Sequence, residues 1–253
     1  MSATLKPWYK SPLKLAGAIL GGLILASILF LIGQTVYFMV LIKMGKMQPL
    51  ADTRFEQLRI SVSKALDKRL SDKELARIEE GTNPTLGNPD AKLHIVEFVD
   101  YECPNTKKVA PVIAEYMARH AEDAYLIIRD YPITELYPYA QASALAARCV
   151  FDVDPAKYWS FQERLFATQG SERSLEGYVQ EVKALGVDTN KFAECYRTGK
   201  YLSEINSSVL LGEGLRISGT PAFYFNGTVF EGAMDKDFLE VVADEARKKA
   251  DAK

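Results

Sequence analysis

The chain has 253 residues, of which 48% are apolar and 25% are charged, a composition typical of a globular protein. Residues 1–50 contain five lysines and no acidic residue, so residues 51–253 carry 26 basic and 33 acidic side chains, a balance of −7. This excess of acid makes nucleic acid a poor candidate partner, because phosphates require clustered cations. Two histidines and three cysteines do not fit the usual zinc cluster, and no phosphate loop or dinucleotide fingerprint occurs. We therefore expect neither a metal nor a cofactor.

The segment 15–42 contains 28 residues without a charge. A helix of that length reaches about 42 Å, whereas the hydrocarbon core of a bilayer measures about 30 Å. A cleaved signal peptide is the alternative, but its apolar region is typically about 7–15 residues long and a small-residue cleavage site follows it. Here Lys43 and Lys46 follow the apolar segment instead. We predict an uncleaved transmembrane helix over 15–42, embedded in the lipid bilayer.

The orientation of this helix is only weakly encoded. Three lysines precede the helix and two closely follow it, so the charge bias across it is small. The tail 1–14 has no acidic residue, which favours a cytoplasmic tail. We expect a single-pass protein of the cytoplasmic (inner) membrane, with the folded domain in the periplasm or extracytoplasmic space.

Residues 43–85 are predicted to form a helical stalk or linker, with helix over 51–80. Its apolar residues follow a helical rhythm: Phe55, Leu58, Val62, Ala65 and Leu66. Arg69 interrupts the stripe after about two heptads, which is too short to establish a coiled coil. A spacer is the favoured interpretation, and a stalk that forms a homodimer is the alternative. Turn residues at 81–84 end the stalk.

A separate domain is predicted over 86–253. Residues rich in β-branched and aromatic side chains predict strands over 93–99 and 124–128. Apolar periodicity predicts helices over 107–120, 140–151, 158–167 and 175–185. Asn226-Gly227 predicts a hairpin of 222–225 with 228–230, and Asp235 begins a closing helix. The order is strand, helix, strand, a helical insert at about 135–215, hairpin and helix, which is an α/β fold.

Two segments of this domain resemble the DsbA-like thiol–disulfide oxidoreductases. One runs from Leu86 through Val96 to Pro104, and the other is Gly219-Thr220-Pro221-Ala222-Phe223. The resemblance covers roughly residues 86–249 and implies a thioredoxin fold with a helical domain inserted between its two halves.

The active site departs from the pattern of that family. The family motif is Cys-x-x-Cys, whereas this chain reads Cys103-Pro104-Asn105-Thr106. Disulfide exchange begins with thiolate attack, which forms a mixed disulfide. A second thiol would then resolve that intermediate, but the hydroxyl of Thr106 cannot form an S–S bond. The sequence therefore predicts only the first half of the reaction, through Cys103.

Cys103 follows a strand and begins a helix, where the helix dipole favours the thiolate and lowers the thiol pKa. We expect Thr106, one turn later, to donate a hydrogen bond to the sulfur. A vestigial, unreactive cysteine is the alternative. Glu97 resembles in position the family's buried acid beside the active site, although a strand could equally expose this carboxylate.

Pro221 resembles the cis-proline that abuts the active-site cysteine in the family. The backbone before it is expected to pair with an extended peptide. The resemblance and the neighbouring residues predict a substrate groove formed by Pro104, Asn105, Tyr101, Thr220 and Phe223. Aromatic residues in such strands often belong to the core instead.

The resemblance also implies a second cysteine pair. Many DsbA-like relatives carry one, and Cys149 and Cys195 are similar to it in placement within the helical insert. We expect a Cys149–Cys195 disulfide, with two buried free thiols as the alternative. A disulfide would fit an oxidising compartment.

The favoured function is thiol–disulfide exchange on cysteine-containing envelope proteins, by a membrane-anchored oxidoreductase without a resolving cysteine. The predicted catalytic residues are Cys103, Thr106, Glu97 and Pro221. The alternative is a non-catalytic scaffold that docks a subunit of a membrane or envelope complex in the thioredoxin groove. The two hypotheses differ in whether function requires Cys103.

Overall fold

A computed structural model describes residues 12–44 and 50–252, which belong to two compact units divided between Gln57 and Leu58. The first unit contains helix α1 (Pro12–Lys43), which covers the predicted membrane segment. Within it, residues 16–41 are long and apolar enough to cross a membrane, and their apolar side chains are exposed. Ser27 and Thr35 donate their hydroxyl hydrogens to carbonyls one turn back, which satisfies both hydroxyl donors within the helix. Most of the predicted tail 1–14 and part of the stalk, 45–49, lie outside the described residues.

From the strand at 93–99 onward, the second unit follows the predicted order of strand, helix, strand, helical insert, hairpin and helix. Its elements are α3 (Asp72–Glu79), β1 (Thr85–Gly87), β2 (Leu93–Val99), α4 (Pro104–His120), β3 (Ala124–Asp130), α5 (Ala140–Val153), α6 (Tyr158–Ala167), α7 (Leu175–Ala184), α8 (Thr189–Thr198), α9 (Leu202–Gly214), β4 (Ala222–Phe225), β5 (Thr228–Glu231) and α10 (Lys236–Asp251). Helix α2 (Leu50–Ala65) begins in the first unit and ends in the second.

The predicted stalk differs from the structure in two ways. The single helix expected over 51–80 is two helices, because Ser71 and Glu74 form a capping box that begins α3. The compact unit also begins at Leu58 rather than at 86, since Val62 and Leu66 are buried in the same core as the rest of the domain. The guanidinium of Arg129 on β3 donates to the carbonyls of Arg77 and Ile78 at the end of α3. Leu58, Val62, Ala65 and Leu66 of the apolar stripe are thus buried or half-buried in the second unit, whereas Phe55 is 47% exposed. Homodimerisation remains a prediction.

The five strands form one mixed sheet in the order β1-β3-β2-β4-β5. Strands β2 and β3 run parallel and are joined by α4, while β4 and β5 run antiparallel. The predicted hairpin is present, with Asn226 and Gly227 at positive φ in the turn between β4 and β5. Strand β1 was not predicted from the sequence, and it pairs antiparallel with β3. This is a thioredoxin fold, as predicted.

The faces of the sheet pack against different elements. Alternation along β2 places Ile95 and Val99 in the larger core with α4, α10 and the helical insert, and Val96 and Phe98 in a smaller core with Ile78 of α3. Glu97 has the same parity as Ile95 and Val99, so its carboxyl lies on the face that the larger core covers.

The helical insert consists of α5 to α9, between β3 and β4. Cys149 of α5 and Cys195 of α8 are joined by a disulfide, with their Cα atoms 5.7 Å apart. The bond connects two helices through cysteines that are 46 residues apart in sequence.

Candidate active site

Cys103 lies at the junction between β2 and α4. It occupies the N-cap position in an extended conformation, with φ −77° and ψ 122°, and Pro104 is the first helical residue. Proline suits this position because its fixed φ matches a helix start and its missing N–H has no helical partner to lose. Cys103 makes no side-chain capping bond to α4, so its sulfur faces a neighbouring loop.

That loop is the segment before β4. The Sγ of Cys103 donates a hydrogen bond to the carbonyl oxygen of Thr220 at 3.2 Å, and the Thr220–Pro221 peptide bond is cis. The structure therefore brings Cys103, Thr220 and Pro221 together, as the resemblance implied. Cys103 is only 4% exposed.

Thr106 occupies the position of the family's second cysteine, one turn into α4. It is fully buried, and its hydroxyl makes no hydrogen bond to any described residue. The hydrogen bond expected from Thr106 to Cys103 is therefore wrong, because the sulfur points to Thr220 while the hydroxyl lies inside the core. The hydroxyl of Thr220 is likewise buried without a partner among the described residues.

The residues of the predicted substrate groove divide into two groups. Pro104 and Asn105 are exposed at the start of α4, and their contact with a substrate stays a prediction. Tyr101 and Phe223 are 1% and 0% exposed, and the hydroxyl oxygens of Tyr101 and Tyr158 are 2.6 Å apart. Tyr101 and Phe223 therefore belong to the core, which corrects the expectation that they line the groove.

Glu97 is buried, with 3% exposure, and no described residue, Cys103 and Thr106 included, forms a hydrogen bond with its carboxyl. Burial raises the pKa of Glu97 to about 8. The interpretation of Glu97 as an exposed carboxylate is wrong. Its predicted catalytic role remains a prediction, since no contact connects it to the sulfur.

The loop 131–139 borders the sulfur and was not identified in the sequence. Tyr137 is half-buried, and its pKa is raised first by this burial and then by the neighbouring Cys103. Leu136, beside it, is 65% exposed. The sequence signal for this loop is its three tyrosines, an unusual number for a short connection, although nothing in their spacing points to Cys103.

Asp100 and Glu102, in the turn before Cys103, were also not predicted to belong to the site. The carboxylate of Asp100 accepts hydrogen bonds from the backbone N–H groups of Glu102 and Ile133, both at 2.8 Å, and so joins the turn to the loop 131–139. Burial raises the pKa of Asp100 to about 6, against the lowering effect of these two bonds. Glu102 pairs with Arg173 at 2.8 Å and accepts a hydrogen bond from Ser143, so it fastens the turn to the insert.

Comparison with known families agrees with this geometry. A family model described as thioredoxin matches residues 79–245, about two thirds of the chain. The chain belongs to the thioredoxin family.

The solved structures similar to this thioredoxin-family chain include thiol–disulfide oxidoreductases. The thiol–disulfide exchange protein alpha-DsbA2 from Wolbachia pipientis superposes with a TM-score of 0.61 at 27% identity, over 77% of this chain and 96% of that one. The catalytic domain of ScsC from Proteus mirabilis gives a TM-score of 0.60 at 25% identity, over 74% of this chain and 98% of that one. These likenesses support disulfide exchange as the general kind of reaction.

A curated relative of a different kind is a Na(+)/H(+) antiporter, NhaA 1, from Salinispora arenicola. It is 29% identical over 168 residues, which are 63% of this chain and 24% of the antiporter. This chain therefore matches about a quarter of the length of that relative.

The N-terminal apolar helix of the thioredoxin-family chain fits a single-pass membrane anchor.

Within the described residues, no group of three or more His, Cys, Asp or Glu side chains is arranged to hold a metal ion.

Proposed function

We propose that this chain exchanges disulfides with cysteine-containing envelope proteins through the single thiol of Cys103. The observation that carries the proposal is the placement of its sulfur at the N-terminus of α4 and 3.2 Å from the carbonyl oxygen of Thr220, beside cis-Pro221. A helix N-terminus stabilises a thiolate, which is the attacking species in exchange.

The chemistry is one complete exchange step. The Cys103 thiolate attacks one sulfur of a substrate disulfide, a new S–S bond forms between Cys103 and the substrate, and the second substrate sulfur leaves as a thiolate. Thr106 cannot supply the thiol that would release the product. Release therefore requires a thiolate from outside, either the second sulfur of the substrate or another thiol compound.

The location proposed for this reaction is the outer side of the cytoplasmic membrane. Helix α1 would hold the chain in the bilayer with its N-terminal tail in the cytoplasm, and the thioredoxin domain would lie in the periplasm or extracytoplasmic space. The Cys149–Cys195 disulfide supports an oxidising compartment, because such bonds persist there and are rare in the cytosol.

A trapping experiment tests the proposal. The full chain is expressed in membranes, free thiols are blocked with acid and an alkylating reagent, and adducts are separated without reduction. We expect mixed disulfides that disappear on reduction and are absent in Cys103→Ser. The matched control is Thr106→Ser, which keeps a hydroxyl at position 106 and should retain the adducts. Absence of any Cys103 adduct in the parent chain would contradict the proposal.

The alternative function is a docking scaffold in a membrane or envelope complex. Two observations favour it: Cys103 is only 4% exposed, and a similar segment makes up about a quarter of a curated antiporter. Under this alternative, a partner that co-purifies with the full chain would remain bound to Cys103→Ser. Loss of that partner on the same substitution would leave the exchange proposal as the explanation.

A further inference from the structure

A cavity between α4 and α6 lies apart from the thiol. Its volume is about 730 Å³, within the range of about 300–1,000 Å³ that small-molecule sites occupy. Neither Cys103, Thr220 nor Pro221 lines it. We propose that it binds an uncharged, mainly apolar small molecule with one hydrogen-bond acceptor, such as a carbonyl oxygen, which Glu97 contacts. This site goes beyond disulfide exchange and does not depend on it.

The cavity walls are apolar because of the composition of both helices. Ala110, Ala114 and Ala118 follow one another at four-residue spacing on α4, so short side chains line one face of that helix. Trp159 and Phe166 of α6 contribute aromatic surface. These walls favour a ligand with a large apolar part.

Glu97 supplies the polar contact. Glu97 lines the cavity and is 3% exposed, and its carboxyl makes no hydrogen bond to any described residue. The other deeply buried acids of the domain are bonded: Glu102 pairs with Arg173, Asp130 pairs with Arg148, and Asp100 accepts from two backbone N–H groups. Burying a polar group without a partner costs free energy, so a ligand atom that bonds to Glu97 gains an interaction that the protein itself does not supply.

The state of this carboxyl selects the ligand class. Burial keeps Glu97 protonated at neutral pH, so it presents an O–H donor. A neutral acceptor matches that donor, whereas an amine would require the carboxyl to ionise in apolar surroundings. Lys107 of α4 and Glu163 of α6 are exposed and also line the cavity. A negative charge on Glu97 raises the pKa of Tyr158 in α6. None of the three forms a salt bridge or hydrogen bond with Glu97.

Benzophenone is a suitable probe, because it consists of two apolar rings and one carbonyl acceptor and inserts into nearby C–H bonds on irradiation, with a preference for methionine. Met117 lines the cavity. The full chain in detergent micelles is irradiated with benzophenone, and adducts are mapped by mass spectrometry. Labelled peptides from α1 serve as the internal reference for probe concentration. We expect an adduct at Met117.

Two groups of variants make the result specific. Ala114→Phe and Ala118→Phe fill the cavity and should reduce Met117 labelling at least tenfold. Ala76→Phe introduces the same side chain on the exposed face of α3 and should leave labelling unchanged. Retention of the Cys149–Cys195 disulfide and of helical circular dichroism in each variant shows that the domain is folded.

Substitutions at Glu97 test the hydrogen bond. Glu97→Gln retains a donor and should retain labelling, while Glu97→Leu removes the donor and should reduce it several-fold. In the parent, labelling should fall as pH rises through about 8, and this dependence should vanish in Glu97→Gln. The proposal is overturned if α1 is labelled but Met117 is not. It is also overturned if both cavity-filling variants label as the parent does, or if Glu97→Leu labels as Glu97→Gln does.

Discussion

Cys103 and Thr106 share one turn of α4 but face different surroundings. The thiol reaches the carbonyl oxygen of Thr220, whereas the hydroxyl of Thr106 is enclosed in the core without a hydrogen bond to the described residues. A buried hydroxyl without a partner destabilises a fold by about 1–3 kcal/mol. A thiol suits such a position better, because buried cysteine behaves as a small hydrophobic residue. The surroundings of Thr106 therefore suit a cysteine, although the chain carries threonine there.

We predict that Thr106→Cys gains dithiol chemistry that the parent lacks. The helix start at Pro104 and the neighbouring Pro221 loop are already in place, and sulfurs three residues apart at a helix N-terminus can reach the ~2.05 Å of a disulfide. The variant should form a disulfide between Cys103 and the introduced thiol, and reduce or oxidise a substrate in repeated turnovers, measured against a redox buffer. Its stability should equal or exceed that of the parent.

Thr106→Val is the matched control for this prediction. It keeps the branched shape, removes the unbonded hydroxyl and adds no thiol, so it should raise the free energy of unfolding by about 1 kcal/mol without any turnover. If Thr106→Cys folds but shows neither the disulfide nor turnover, the groove is built for binding and the scaffold alternative gains support.

At the scale of elements, local patterns predicted the segments whose structure is decided locally. Strand 93–99, helix 158–167 and the Asn226-Gly227 hairpin are present as predicted, because alternation, helical spacing and turn chemistry act over a few residues. Strand β1 was missed because its three residues owe their conformation to pairing with β3, about 40 residues away. Helix α8 carried an overlooked signal, the N-cap Asp188, whose carboxylate accepts from the N–H groups of Asn190 and Lys191.

In the candidate site, the residues of short motifs were placed correctly from the sequence, whereas the residues positioned by tertiary packing were not. The resemblance brought Cys103 and Pro221 together correctly, because each belongs to a short motif. Spacing could not show that Tyr101 is buried against Tyr158, nor that Tyr137 approaches the sulfur, since both depend on how the insert packs on the sheet. Side-chain direction is set by tertiary contacts, which is why the Thr106 hydrogen bond was wrong.

The disulfide between α5 and α8 gives a prediction at this scale. Replacing Cys149 and Cys195 together by alanine should lower the free energy of unfolding by about 4 kcal/mol, because the bond restricts a 46-residue loop in the unfolded chain. Urea denaturation of the full chain, followed by fluorescence of Trp159 in α6, measures the change.

Cys103→Ala is the control for that substitution, since it removes a thiol that closes no loop and should change stability much less. The double alanine variant should still form adducts through Cys103 once folded, because the disulfide lies in the insert and not at the sulfur. A loss of less than about 1 kcal/mol would show that the helical packing alone holds the insert.

Across the whole domain, buried acids connect the sheet to the helices that cover it. Asp130 on β3 pairs with Arg148 of α5, whose guanidinium also donates to Asn83 before β1. Glu102 pairs with Arg173 and holds the turn against the insert. These pairs supply each charge with a partner, which is what makes burial of a charge tolerable. Glu97 has no such partner among the described residues, so ionisation of its carboxyl makes the stability of the fold depend on pH.

The direction of this dependence follows from the two states of Glu97. Its pKa is about 8 in the folded domain and near the ordinary 4.5 in the unfolded chain. Below pH 4.5 both states are protonated and folding carries no penalty. Between pH 4.5 and 8 the unfolded chain ionises while the folded one does not, so stability falls by about 1.4 kcal/mol per pH unit, and above pH 8 the loss is constant.

We therefore predict that Glu97→Gln is more stable than the parent above pH 8, by up to roughly 4–5 kcal/mol, and that the difference shrinks towards pH 4.5. Glutamine keeps the shape of the side chain and does not titrate. Urea denaturation of both full-length chains from pH 5 to 9 measures the difference in the free energy of unfolding. The contributions of titratable groups common to both chains cancel in this difference.

Glu163→Gln is the matched control, because Glu163 borders the same cavity but is exposed, and the stability of this variant should follow that of the parent at every pH. Parallel curves for the parent and Glu97→Gln would show that the Glu97 carboxylate is solvated in the folded protein. The O–H donor assigned to the cavity would then be absent at neutral pH.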